Sequence, residues 1–196
     1  MCFFNSKSIS MLAEIDLSLF YHINQIWTHP ILDTLLPLFR NKVFWTPLYL
    51  FLVAFSLINF QRKGLWIILC LAATVVIADF VSSKIVKPTV KRERPCNDVE
   101  IQPYVRNLVN CGAGKSFTSS HATNHFAIAI FLSIIFGKKR RWIWSVSLLW
   151  ASIISYSQIY VGVHYPFDIL GGAILGTIIG IIIARFCRNY ISLPVD

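Results

Sequence analysis

Four long stretches of the chain are almost purely apolar: residues 44–60, 65–86, 142–163 and 169–184, the second broken only by Asp79 and Lys84. Uncharged runs of about this length are predicted to be helices that span a bilayer. A fifth run, 122–137, is shorter, but the basic cluster Lys138-Lys139-Arg140-Arg141 closes it and His121 stands at its first turn, so it too is predicted to span. Residues 11–39 are amphipathic and interrupted by Asp16, His29, Pro30, Asp33 and Pro37. That pattern fits either a segment lying at the membrane interface or a sixth, imperfect span. The expected fold is all-α: one polytopic membrane bundle of five to six spans, with 1–43 as an amphipathic N-terminal region and 44–188 as a helical core.

Composition agrees with a membrane protein and excludes an ordinary soluble domain, with 56% hydrophobic and 14% charged residues and a mean hydropathy of +0.62. A formal net charge of +9 would suggest a polyanion, but long uncharged runs leave no solvated basic face for a duplex. Nucleic acid is therefore set aside and anionic lipid is the expected partner. Residues 1–10 lack the apolar core of a signal peptide, so no cleaved leader is read there.

The loops give an orientation. Arg62 and Lys63, the cluster at 138–141, and Arg185 and Arg188 fall on one side of a five-span arrangement, which assigns that side to the cytoplasm. The opposite, extracytoplasmic side then carries the loop from Lys87 to Ser120 and the turn from His164 to Asp168. Against this stand six basic residues of the long loop, Lys87, Lys91, Arg92, Arg94, Arg106 and Lys115. The outward assignment is preferred because several of these cations have a chemical use.

Three polar clusters meet the membrane on that side: Lys87 to Pro95, Thr118-Ser119-Ser120-His121, and Ser157 to Asp168. Alone, each has an ordinary explanation: a snorkelling basic anchor, a helix N-cap, a hydrogen-bonded histidine. Together they suit phosphoryl transfer. Lys87 offers a point charge and Arg94 a planar fork to phosphate oxygens, and Ser119 and Ser120 sit at a helix N-terminus that favours anions. Two histidines can divide nucleophilic attack and proton donation, and Asp168, four residues after His164, is placed to hold one imidazole nitrogen.

These clusters resemble the three motifs of the type 2 phosphatidic acid phosphatase superfamily, Lys-x6-Arg-Pro, Pro-Ser-Gly-His and Ser-Arg-x5-His-x3-Asp. Here the first is complete in Lys87, Arg94 and Pro95; the second reads Thr118-Ser119-Ser120-His121; the third reads Ser157-Gln158, then His164, then Asp168. The resemblance implies a metal-independent lipid phosphatase without cofactor. In it His164 is the nucleophile that forms a phosphohistidine, Asp168 orients it, His121 is the general acid, and Lys87, Arg94, Ser119 and Ser120 bind phosphate. Gln158 replaces the family's arginine, giving an amide in place of a cation unless Lys115, Arg92 or Lys91 supplies the charge. The implied home is the cytoplasmic (inner) membrane with the site facing outward, and the implied protein is a monomer.

The implied substrates are undecaprenyl pyrophosphate first, then phosphatidylglycerol phosphate and the phosphates of lipid A. A phosphotransferase moving phosphate between lipids and a weak, lipid-binding member are the alternatives. A zinc site of His121, His125 and His164 is set aside for want of a further ligand at suitable spacing. Asp79 is expected to pair with a basic group inside the membrane. Gly171, Gly172, Gly176 and Gly180 are expected to pack the last helix closely within one subunit. Cys2, Cys70 and Cys187 are read as free thiols, while Cys96 and Cys111 either close a loop by a disulfide or remain loop thiols.

Overall fold

The computed structural model describes residues 6–138 and 140–190, with side chains from residue 11 onward; Cys2, Lys139 and the first ten side chains lie outside what is described. Seven α-helices occur among the described residues: α1 (Ser6–Tyr21), α2 (Pro30–Phe39), α3 (Thr46–Phe80), α4 (Lys87–Val90), α5 (Ser120–Phe136), α6 (Trp142–Tyr160) and α7 (Pro166–Tyr190). Among the described residues there is no strand.

Two stretches, Lys42–Val90 and Pro166–Tyr190, are long and apolar enough by length and composition to cross a membrane. The first is not a rod. Gln61 has φ 51° and ψ −121°, and a side chain added at Gly64 would strike the Ser56 carbonyl. In a continuous helix these residues would be about 12 Å apart along the axis, so α3 folds back at Gln61 into two limbs. Gly64 is required at the fold-back because backbone approaches backbone there.

The core is built around α5. Its partner α7 brings Gly172, Gly176 and Gly180 against the carbonyls of Ser119, Thr123 and Ala127, and a Cβ at any of these glycines would lie closer than 3.0 Å to that oxygen. Small residues at spacings of four let two helix backbones approach where apolar burial alone gives no selectivity. On the other flank of α5, the hydroxyls of Ser133 and Ser147 meet at 2.7 Å and tie in α6.

Two element ends that differ from the sequence pattern bear on the site. The last helix begins at Pro166, a favoured first helical residue, so Asp168 lies in its first turn. Helix α6 ends at Tyr160, where the chain turns through Gly162 at φ 88°. A side chain at Gly162 would meet Val105 and the Arg106 carbonyl. Asp79 also departs from expectation: its described partner is the amide of Asn124, at 3.3 Å, and not a cation. Asn124, on α5, supplies the donor to this exposed carboxylate.

The N-terminal segment is docked by polar contacts. Buried Asn24 donates to the carbonyls of Tyr160 (2.8 Å) and Arg106 (3.0 Å) and accepts from the Arg106 N–H (2.9 Å). Asp33, on α2, pairs with Arg106 and accepts from the Tyr160 hydroxyl at 2.5 Å.

Candidate active site

The turn that ends α6 presents His164. Its backbone N–H and that of Val163 both donate to the Gln158 carbonyl, at 3.2 and 3.1 Å, which fixes the backbone that carries the imidazole. The ring is 2% exposed. Its Nδ1 lies 3.4 Å from Asp168 Oδ2 and 3.3 Å from Ser116 Oγ. With Nδ1 engaged by a carboxylate, Nε2 carries the lone pair available for attack. Burial holds the His164 pKa down at about 4 against the pull of Asp168, and the positive charges of Arg94 and Lys87 push the same way. The imidazole is therefore neutral near pH 7, as a nucleophile must be.

Asp168 is fully buried and fully occupied. Oδ2 accepts from the Ser116 hydroxyl and from the Tyr165 N–H (2.8 Å), and Oδ1 accepts from Arg92 Nη1 (3.0 Å). Its carbonyl accepts from the Ser119 N–H at 3.1 Å, so the start of α5 is bolted to the start of α7. The long loop is closed by a Cys96–Cys111 disulfide with Cα atoms 5.8 Å apart. Arg94 leans on that closure, donating to the carbonyls of Gly114 (3.0 Å) and Cys111 (3.2 Å) while the rest of its fork remains for an anion.

Ser119 caps α5, its Oγ accepting from the Ala122 N–H at 3.5 Å. The Ser120 hydroxyl meets Ser82 Oγ at 3.0 Å, in a small hydroxyl cluster with Thr118. Gln158 is fully buried with its amide turned back onto the Ile154 carbonyl and Ser157 Oγ, both at 3.3 Å. Of the cations considered as replacements for the family arginine, Arg92 bridges Asp16 and Asp168, and Lys115 pairs with Glu93. Both are engaged by carboxylates.

His121 and His125 stack in parallel, ring centroids 6.2 Å apart, and His125 Nδ1 is held on the His121 carbonyl at 2.7 Å. His121 stands in the first turn of α5, which the Ser119–Asp168 bond joins to the start of α7, so His121 and His164 lie at the same end of the bundle. His121 also lines a largely apolar cavity of about 860 Å³ between the two limbs of α3 and α5, whose walls include Tyr49, Leu52, Ile68, Val76 and Lys84. One side of the arrangement can hold phosphate, and the other can hold an apolar tail next to a proton donor.

Three site residues were not assigned from the sequence. Ser116 carried no signal beyond proximity to Thr118. From its place in the basic loop, Arg92 suggests only a phosphate ligand. Asp16 interrupts an amphipathic stretch, where an ionisable residue calls for a partner that the sequence does not name.

The sequence model of the PAP2 superfamily matches residues 63–191. The chain belongs to the PAP2 superfamily. It is 36% identical over 171 residues to the lipid A 4'-phosphatase of Bacteroides thetaiotaomicron, covering 86% of this chain and 75% of that protein. Among solved structures it is similar to LpxE of Aquifex aeolicus, with a TM-score of 0.67 and 30% identity over 87% of this chain and 95% of that one. The fold also matches a transmembrane PAP2-type phosphatidylglycerolphosphate phosphatase from Bacillus subtilis, with a TM-score of 0.69 at 22% identity, covering 93% of this chain and 89% of that one. This membrane protein is a lipid phosphate phosphatase.

Proposed function

We propose that the chain removes a phosphate from a glycolipid of the lipid A type through a phosphohistidine on His164. The observation that carries this is the buried His164–Asp168 pair within the field of Lys87 and Arg94, in a chain similar to a lipid A 4'-phosphatase along most of its length. Undecaprenyl pyrophosphate, first in order from the motifs alone, moves behind lipid A on that similarity, and phosphatidylglycerol phosphate follows.

His164 Nε2 attacks phosphorus while Lys87 and Arg94 neutralise the equatorial oxygens, Ser119 adding a hydroxyl donor. The bond from phosphorus to the lipid oxygen breaks, its electron pair leaves with that oxygen, and His121 supplies the proton. Water then attacks the phosphohistidine, His121 takes a proton from it, the P–N bond breaks and inorganic phosphate departs. Asp168 stabilises the imidazolium character that develops on His164. Gln158 and Ser120 shape the backbone around this centre through the contacts already described.

In the membrane, the limbs of α3 with α5, α6 and α7 make five spans of one domain, and α1 and α2 pack at the site end. The site end faces outward, which suits a Cys96–Cys111 disulfide, since such bonds persist in oxidising compartments. Phosphate release from purified protein tests the substrate order. Lipid A bearing phosphates at both ends of the disaccharide is expected to lose one of them faster than undecaprenyl pyrophosphate or phosphatidylglycerol phosphate is cleaved. A faster reaction with either competitor reverses the order, and release only when an acceptor lipid is present indicates a transferase.

A further inference from the structure

Asp16 lies on α1, far ahead of the residues that match the family, and is 1% exposed. It is held at both oxygens. Oδ2 meets Arg92 Nη2 at 2.5 Å, and Oδ1 accepts from the Phe167 N–H at 2.8 Å, one residue before Asp168. Arg92 in turn donates from Nη1 to Asp168 Oδ1 at 3.0 Å and lies over the Tyr165 ring, 3.9 Å from its centroid. One guanidinium thus spans two buried carboxylates, and one of them holds His164.

We propose that Asp16 is a positioning residue of the active site, acting through Arg92 on Asp168. The charges make the case. Arg92 alone against Asp168 would be a closed pair, with little negative field left for a histidine that becomes cationic as it takes phosphate. Asp16 draws one arm of the guanidinium away, so the three-membered cluster carries a net negative charge. Asp168 shares in that charge, and its Oδ2 faces His164 Nδ1. Geometry adds to this: a planar fork fixed at two points and stacked on Tyr165 fixes the plane of the Asp168 carboxylate. The Phe167 contact pins the first turn of α7 at the same place. The N-terminal helix therefore completes the catalytic centre.

The inference rests on the assignment of His164 as nucleophile, and the test separates the two. Phosphate release is measured for Asp16→Asn, Arg92→Gln, the double variant, Arg92→Lys and His164→Ala in detergent, alongside thermal unfolding. Asn keeps an acceptor for Phe167 and removes the charge from Arg92. Asp16→Asn is expected to lower kcat at least tenfold with KM within twofold in protein that still unfolds cooperatively, and to cost nothing further in kcat in the Arg92→Gln background. Should Asp16→Asn fail to fold, Arg92→Lys, which keeps the charge but cannot fork between two carboxylates, is expected to show the same kcat-only loss. Wild-type kcat in Asp16→Asn, or losses that multiply in the double variant, would overturn the role of Asp16. Turnover retained by His164→Ala would instead remove the assignment beneath it.

Discussion

Along α5 and α7, three glycines bring two helices together by lacking atoms: each lets a carbonyl of α5 approach where a methyl group would not fit. The attachment of the N-terminal segment works by the opposite means, with Asn24, Asp33 and Asp16 each reaching a specific polar partner on the turn that carries His164 or on the loop beside it. Both hold the same site, since Gly172 packs against Ser119 and Asp16 lies one bond from Phe167. The comparison teaches that in a membrane protein shape sets the distance between spans, while buried polar contacts set which end of the bundle is organised for chemistry.

The shape-based seam should be the less forgiving. Gly176→Ala places a methyl group against the Thr123 carbonyl, where neither backbone can yield. It is expected to cost about 3 kcal/mol or more, seen as loss of a monodisperse folded species in detergent. A variant of unchanged stability would mean that the helices separate easily and that the seam sets nothing.

The polar side should fail by steps. Asn24→Ala removes three hydrogen bonds to backbone groups and leaves them without partners, for an expected loss of about 2–3 kcal/mol in thermal unfolding. The α5–α7 seam is expected to persist in that variant, and helical content should stay near that of the parent chain.

pH distinguishes the two regions as well, because methyl and carbonyl contacts do not titrate. His164 is depressed to about 4 from its ordinary 6.5, so the folded chain binds fewer protons than the unfolded one between those values. The stability linked to this residue is then full above pH 6.5 and is lost as pH falls toward 4. His164→Gln is expected to reduce that slope in a pH series of unfolding measurements, and an identical slope in both proteins would place the buried charge elsewhere. The smallest effect belongs to an exposed polar contact: Lys115→Ala breaks only the pair with Glu93 and should change stability by less than about 0.5 kcal/mol. Its kcat/KM should match the parent value; a large loss would restore Lys115 as a phosphate ligand.

The sequence was most legible where chemistry imposes a spacing. Lys87, Arg94, His164 and Asp168 could be aligned with a family pattern, and the glycines at intervals of four announced a close helix contact. The apolar runs likewise predicted helices, though the ends shifted because Pro166 can start a helix and Gly162 turns the chain before His164. What could not be read were partnerships between residues distant in the chain. Arg92 looked like one cation among six in a loop, and nothing local links it to Asp16, 76 residues away. General expectation gives Asp79 a cation, whereas its hydrogen bond comes from the neutral Asn124. Gln158 looked like a weakened phosphate ligand, but its amide serves α6 and its carbonyl serves His164.

The reaction proposed for this site has one covalent intermediate, and trapping it is the most direct test. The purified chain would be mixed briefly with lipid A carrying labelled phosphate, denatured in alkali, digested and sequenced by mass spectrometry. Label is expected on the peptide containing His164, stable in alkali and lost in acid as a phosphoramidate should be, and absent from the His164→Ala protein. Rapid phosphate release with no label on His164, or label that survives in the His164→Ala protein, would contradict the mechanism.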